Sequence, residues 1–123
     1  MGYVDLYLLP FPKKNLDRYK DVANKFGRIA RECGALGYRE FLGEDLSPEG
    51  VLPFTKAAPI GDGEVLSAAI VEYESRAHRD EVMKKIFADP RMEEMKQDMN
   101  PDGDPVADMS KMYYGGFETF VEV

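Results

Sequence analysis

The sequence contains no tryptophan, a single cysteine and a single histidine. With one thiol, Cys33, the chain cannot form an intramolecular disulfide, which agrees with a reducing compartment. Cys33 continues the apolar stripe of a predicted helix and falls in its last turn, where the negative end of the helix dipole disfavours a thiolate. We therefore interpret Cys33 as a buried structural thiol rather than a nucleophile.

Long apolar runs and an excess of positive charge are also missing. No apolar run approaches the roughly 20 residues that a membrane-spanning helix requires, and residues 1–5 lack the basic start and the small-residue cleavage site of a secretory signal. Acidic residues outnumber basic residues by 23 to 16, and the resulting formal charge of -7 opposes binding to nucleic-acid phosphates. We therefore expect a cytoplasmic protein that binds neither membranes nor nucleic acids.

Residue spacings typical of metal sites are absent. No pair of His or Cys and no cluster of carboxylates has ligand spacing, and Asp102-Gly103-Asp104 lacks the rest of a calcium loop. Met92, Met95 and Met99 recur at helical spacing, but neither His nor Cys accompanies them, so we interpret them as an apolar helix face. We expect no metal and no cofactor.

The periodicities that are present predict one α+β domain spanning residues 1–123. Alternation of apolar and polar side chains predicts a first strand over residues 3–9. Apolar side chains at three- and four-residue spacing predict a long helix that begins at a cap, Asn15, and ends before Gly34. The later elements are predicted as strands at 38–42, 65–73 and 111–121, a helix at 76–88 capped by Ser75, and a short helix through the three methionines.

Details of three segments carry further expectations. Residues 43–63 form an unusually long connection, in which residues 52–58 read as a short extended segment and Phe54 as an anchor to the domain. Val82, Met83, Ile86 and Phe87 should form the buried side of their helix. In the last strand, Gly115-Gly116 predicts a bulge or a close backbone contact.

Two strand-helix-strand halves predict the ferredoxin-like βαββαβ fold, with an antiparallel four-stranded sheet and both long helices on one face. The other face of the sheet then needs a cover. If that face carries the apolar side chains of the first and third strands, it is too apolar for water. The side chains expected on it are Tyr3, Tyr7, Leu9, Val65, Ala69, Val71 and Tyr73. We therefore expect a homodimer in which two sheets face each other, a dimeric α/β barrel.

Five short stretches are distinctive: Tyr3-Val4-Asp5 with residues 10–14, Gly34-Ala35, residues 75–80 (Ser-Arg-Ala-His-Arg-Asp), Asp89-Pro90, and residues 112–117 (Met-Tyr-Tyr-Gly-Gly-Phe). Together they resemble the YbaA-like bacterial family of domain-of-unknown-function proteins, over nearly the whole chain. The resemblance implies the dimeric α/β-barrel superfamily but no established activity. The single histidine and the absence of tryptophan disfavour haem degradation of the kind found in that superfamily.

The first candidate site surrounds the only histidine, at the start of the predicted helix 76–88. Arg76, His78 and Arg79 lie beside the backbone N–H groups of a helix N-terminus, which attract anions. They can hold a carboxylate or phosphate, or a neutral His78 can act as a base. Alternatively, these side chains hold the helix start against Glu72, Glu74 or a partner subunit.

The second candidate site consists of side chains that alternation directs toward the barrel interior: Asp5, Tyr7, Glu40, Tyr73 and Tyr113. Paired carboxylates in a low-dielectric cavity can differ in pKa and serve as acid and base. Alternatively, tyrosine hydroxyls or arginines at a dimer interface satisfy them. The catalytic candidates are thus His78, Asp5 and Glu40, and the expected ligand-binding residues are Arg76, His78, Arg79, Tyr7, Tyr73 and Tyr113.

Three functions are compatible with these features. The favoured one is binding or sensing of a small molecule in the barrel cavity, for which an anion is one option, with homodimerisation. The second is a cofactor-free enzyme of monooxygenase or isomerase type, an expectation that rests on the fold alone. The third is a structural or protein-interaction module in which residues 43–63 contact a partner.

Overall fold

The computed structural model describes residues 2–123 and contains four strands and four helices. In chain order these are β1 (Tyr3–Pro12), α1 (Leu16–Glu32), β2 (Gly37–Leu42), α2 (Phe54–Ala57), β3 (Glu64–Tyr73), α3 (Arg76–Ala88), α4 (Arg91–Met99) and β4 (Tyr113–Glu118). None of the helices in the described chain combines the length and the apolar character that a bilayer crossing requires. The predicted order of the four strands and of α1, α3 and α4 is confirmed, whereas α2 was not predicted.

The four strands form one antiparallel sheet in the order β2-β3-β1-β4. Tyr3 pairs with Tyr73, Tyr7 pairs with Ala69 on one side and Tyr114 on the other, and Glu40 also pairs with Ala69. This strand order and the βαββαβ sequence are those of the ferredoxin-like fold, which confirms the predicted fold class.

The apolar core lies between the sheet and the helices. Side chains of β1 and β3, including Tyr3, Val71 and Tyr73, cluster there with Ile29 of α1 and Val82 of α3. The prediction that Tyr3, Tyr7, Leu9, Val65, Ala69, Val71 and Tyr73 face the uncovered side of the sheet is therefore wrong. Alternation shows which residues share a face but not which face the helices cover.

The uncovered face of the sheet is nevertheless apolar, and we call it the open face. It carries the alternate side chains of all four strands, which are half-buried or exposed except at the paired Pro10 and Leu66, which are buried. The apolar ones are Val4, Leu6, Leu8, Phe41, Ala68, Ile70, Tyr113 and Phe117.

Local predictions differ from the structure at two phenylalanines. Residues 54–57 form the short helix α2 instead of an extended segment, and Phe54 is 54% exposed, so it does not anchor the connection. Phe87 in α3 is 72% exposed, whereas Val82 and Ile86 are buried as expected. Helical spacing predicts Phe87 on the buried side of the helix, but Phe87 lies at the edge of the apolar stripe and is exposed.

The two predicted helix caps have different outcomes. The Ser75 hydroxyl accepts a hydrogen bond from the His78 amide at 3.1 Å, as a helix cap does. Asn15 makes no such bond: its Oδ1 accepts a hydrogen bond from Arg18 Nη1 at 3.2 Å, and its buried side-chain amide donates to the Val106 carbonyl at 3.0 Å. Asn15 therefore ties the segment between α4 and β4 to the start of α1.

Candidate functional site

A cavity of about 750 Å³ lies between the sheet and the helices. Its floor is formed by Tyr7, Leu9, Tyr38, Glu40, Ser67 and Ala69 of the sheet. Tyr19, Val22, Ala23 and Phe26 of α1 form one wall, and residues of α3, α4 and the segment 100–112 form the rest. The volume is within the range of roughly 300–1,000 Å³ that is usual for ligand sites.

The wall opposite α1 is rich in methionine. All six methionines among residues 2–123 line this one cavity, namely Met83, Met92, Met95, Met99, Met109 and Met112. Methionine side chains are flexible and polarisable, so they adapt to apolar ligands of different shape. The predicted apolar face of Met92, Met95 and Met99 is thus a cavity wall.

Glu40 gives the floor of the cavity its acidic group. Its Oε1 accepts hydrogen bonds from the Tyr19 hydroxyl at 2.5 Å and from the Ser67 hydroxyl at 2.7 Å, and its Oε2 accepts one from the Tyr38 hydroxyl. These donors come from three different elements, α1, β3 and β2. We call these four residues the Glu40 cluster.

The two tyrosines of the Glu40 cluster are held in their protonated form. Burial, the charge of Glu40 and the hydrogen bonds to it raise the pKa of Tyr19 and of Tyr38. Both hydroxyls therefore remain donors across the physiological pH range. Burial also raises the pKa of Tyr7, whose ring packs on the ring of Tyr114 with a centroid distance of 4.9 Å.

Asp5 occupies a separate, fully buried site on the same face of the sheet. The Arg79 Nη1 donates to Asp5 Oδ1 at 2.7 Å, and the Tyr114 hydroxyl donates to the same oxygen at 3.1 Å. Arg79 also lies 5.1 Å from the centre of the Tyr3 ring. The second Asp5 oxygen, Oδ2, is buried and has no hydrogen-bond partner within residues 2–123.

The residues of the first candidate site do not converge. Arg79 is directed toward Asp5 and also bonds Asp80 at 2.7 Å, so its charge is already neutralised. The His78 Nδ1 accepts a hydrogen bond from the Glu74 amide at 3.0 Å, and the His78 ring contacts Tyr73 edge-on. Arg76 is exposed. The alternative, in which His78 stabilises the helix start, agrees with this geometry, whereas Arg79 contacts Asp5 rather than Glu72 or Glu74.

The structure does not bring all residues of the second candidate site together. Tyr7 and Glu40 line the cavity, but Asp5 belongs to the ion pair with Arg79. Tyr73 is buried in the core, where its hydroxyl lies 3.8 Å from Met83 Sδ. These four residues face the helices rather than the open face. Tyr113 lies on the open face, and the contact expected of it is made by its neighbour Tyr114.

The sequence did not reveal the hydroxyl partners of Glu40. Tyr19 lies in the helical repeat that follows Asn15, Tyr38 begins the predicted strand 38–42, and Ser67 lies within the predicted strand 65–73, so no local pattern brings them to Glu40. The only signal was that both tyrosines combine an apolar ring with a hydrogen-bond donor, which buried tyrosines use.

Comparison with known proteins agrees with the fold. The family described as "Protein of unknown function (DUF1428)" matches residues 2–103. The uncharacterized protein YbaA of Escherichia coli K12 is 32% identical over 122 residues, which cover 99% of either chain.

Two solved structures have the same fold at low sequence identity. One is SnoaB, a cofactor-independent oxygenase from Streptomyces nogalater, with a TM-score of 0.60 and 8% identity over 99% of this chain and 96% of that chain. The other is a dimeric ferredoxin-like protein of unknown function from Jannaschia sp. CCS1, with a TM-score of 0.59 and 11% identity over 97% of this chain and 100% of that chain.

Proposed function

The chain belongs to the DUF1428 family of proteins of unknown function, and from that premise we propose that it binds a small, largely apolar molecule in the cavity between sheet and helices. The observation that carries this proposal is the composition of the cavity, an apolar wall of six methionines facing one polar cluster around Glu40. Ligand sites typically combine such an apolar lining with a few polar groups that fix orientation.

The proposal replaces the anion site expected at the start of α3. The guanidinium of Arg79 is engaged by Asp5 and Asp80, and His78 is engaged by the backbone of Glu74. The charged group in the cavity floor is the acidic Glu40; the two other charged lining residues are Asp108 and Lys96, and the ammonium of Lys96 is paired with Glu93. An apolar ligand with a polar head therefore fits this protein better than a carboxylate or a phosphate.

Native mass spectrometry of gently purified protein, followed by titration with octanol as a defined apolar probe, tests the proposal. We expect a retained organic molecule or saturable octanol binding. Ala23→Phe should weaken octanol binding because Ala23 lines the cavity, whereas Asn24→Phe, one position along on the exposed side of α1, should not. Absence of saturable binding, or equal binding by both variants, would contradict the proposal.

A second candidate function is cofactor-free catalysis at the same site. It is supported by the placement of Glu40 beside two tyrosine hydroxyls at the edge of an apolar cavity, and the neighbour SnoaB is described as a cofactor-independent oxygenase. Glu40 would accept a proton from the ligand while a tyrosine hydroxyl donates to a ligand oxygen. Incubation of the recovered ligand with the protein in air distinguishes the two functions, because a binding protein returns the ligand unchanged.

The third hypothesis, an interaction role for residues 43–63, stays a prediction, as does cytoplasmic localisation.

We also propose that the protein is a homodimer formed through the open face. A half-buried apolar face on a central sheet is expected to be covered by a partner, and the Jannaschia neighbour is described as dimeric. The side chains that would meet are not those expected from the sequence, but Leu6, Ile70 and their neighbours on the open face.

A further inference from the structure

The charge of Glu40 distinguishes it from the other carboxylate on the helix-covered side of the sheet. Asp5 has a cationic partner, Arg79. Within residues 2–123, Glu40 has no Lys, Arg or His nitrogen within 4.0 Å, and its hydrogen-bond partners are three hydroxyls. Hydroxyl donors stabilise a carboxylate but do not neutralise its charge.

The Glu40 carboxylate also retains capacity for one more donor. A carboxylate can accept about four hydrogen bonds. Oε1 accepts from Tyr19 and Ser67, whereas Oε2 accepts only from Tyr38. The remaining position therefore lies on Oε2.

The surroundings of Glu40 suit a cation in two further ways. The rings of Tyr7, Tyr19, Phe26 and Tyr38 line the same cavity, and aromatic faces attract ammonium groups. The second acidic lining residue, Asp108, adds negative charge, while the ammonium of Lys96 lies 3.3 Å from Glu93. At longer range, the formal charge of -7 attracts cations to the whole molecule.

We propose that the ligand is an organic cation, an amine with an apolar body, whose ammonium group binds at Glu40 while its body lies along the methionine wall. The inference rests on the proposed function, since it requires the cavity to be a ligand site. It differs from the expectation drawn from the sequence, in which an anion binds at Arg76, His78 and Arg79. An ammonium group would supply both the missing countercharge and the missing donor.

Calorimetric titration of the full chain with three probes of equal length separates the two proposals. Octanol, whose head group is uncharged, tests binding to the apolar cavity. Octylamine tests the additional effect of a cationic head group, and octanoate that of an anionic head group. We expect octylamine to bind at least tenfold more tightly than octanol, and octanoate more weakly than octanol. If no probe binds, the proposed function fails; if octanol binds as tightly as octylamine, only the organic-cation inference fails.

A pair of variants then tests whether Glu40 causes the preference for octylamine over octanol. Glu40→Gln keeps the shape and an acceptor oxygen but removes the charge, so the preference for octylamine over octanol should fall to less than threefold. Glu44→Gln removes the same charge from an exposed position outside the cavity and should retain the wild-type preference. An unchanged preference in Glu40→Gln would overturn the inference. If that variant does not fold, the relative affinities of the wild-type protein for the three probes still test the inference.

Discussion

At the scale of single residues, Gly116 shows how tightly β4 packs on the core. A Cβ atom at Gly116 would overlap the Tyr3 hydroxyl, whereas at Gly115 the nearest atom would be a Phe117 carbon at 3.5 Å. The side chain of Tyr3 is buried and cannot move aside freely. The predicted close backbone contact in this Gly-Gly pair is thereby confirmed, at Gly116.

We expect Gly116→Ala to lower the free energy of unfolding by about 1–3 kcal/mol, the usual effect of overpacking a buried site. Gly115→Ala in the same strand is the matched control and should cost less than Gly116→Ala, because a Cβ atom there would meet only Phe117 carbons, no closer than 3.5 Å. Urea denaturation of the two variants measures the difference. Equal stability of the two variants would show that Tyr3 does not occupy the space above Gly116.

The buried ion pair between Asp5 and Arg79 predicts that Arg79→Ala lowers the free energy of unfolding more than Gly116→Ala does. Arg79→Ala leaves the fully buried Asp5 carboxylate without its cation, and breaking a buried ion pair on one side typically costs about 3–5 kcal/mol. Arg76→Ala removes an exposed arginine three positions earlier in the same helix and should have an effect of less than about 0.5 kcal/mol. Denaturation of both variants measures the contrast, and a small effect of Arg79→Ala would mean that Asp5 has another partner.

At the scale of secondary-structure elements, the tyrosines between the sheet and the helices predict how stability depends on pH. Burial and the charge of Asp5 raise the pKa of Tyr114 from 10.0 to about 12. The pKa values of Tyr7, Tyr19, Tyr38 and Tyr73 are also raised, mainly by burial. The folded chain therefore binds more protons than the unfolded chain above pH 10.

The direction in which the free energy of unfolding changes with pH follows from that difference in proton binding. The contribution of these tyrosines to the free energy of unfolding is fully present below pH 10 and is lost progressively as the pH rises above 10, through about 12 for Tyr114, because stability falls wherever the folded state binds more protons. Urea denaturation between neutral pH and pH 11, with tyrosinate absorbance of the folded protein, measures it. Tyr38→Phe should make the decline shallower. Titration of every tyrosine near pH 10 in the folded protein would contradict this prediction.

The elements themselves were largely predictable because each depends on local periodicity. The helical repeat from Leu16 to Cys33 and the strand at 65–73 needed no tertiary information. Three features depend on packing and do not follow from local periodicity. Alternation does not say which sheet face the helices cover, and a shift of one residue exchanged Tyr113 with Tyr114. The Glu40 cluster joins α1, β2 and β3, and no local pattern specifies that meeting.

At the scale of the whole molecule, the two proposals assign different roles to the two faces of the sheet. The helix-covered face contains the cavity, and the open face is the proposed dimer interface. Exposed apolar side chains continue beyond β4, where Phe120 and Val121 follow the last strand. The ligand site and the proposed dimer interface therefore lie on opposite sides of the sheet, and a change that separates the subunits should leave the cavity intact.

We expect the wild-type protein to have twice the chain mass by light scattering at micromolar concentration, and Leu6→Lys to be monomeric. Leu6 lies at the centre of the open face, opposite Ile70 and Gly115, so an ammonium group there would be buried without a partner in the dimer. Leu52→Lys makes the same substitution at an exposed position in the connection before β3 and should remain dimeric. Circular dichroism checks that both variants are folded. A monomeric wild-type protein, or a dimer that survives Leu6→Lys, would show that the open face is not the interface.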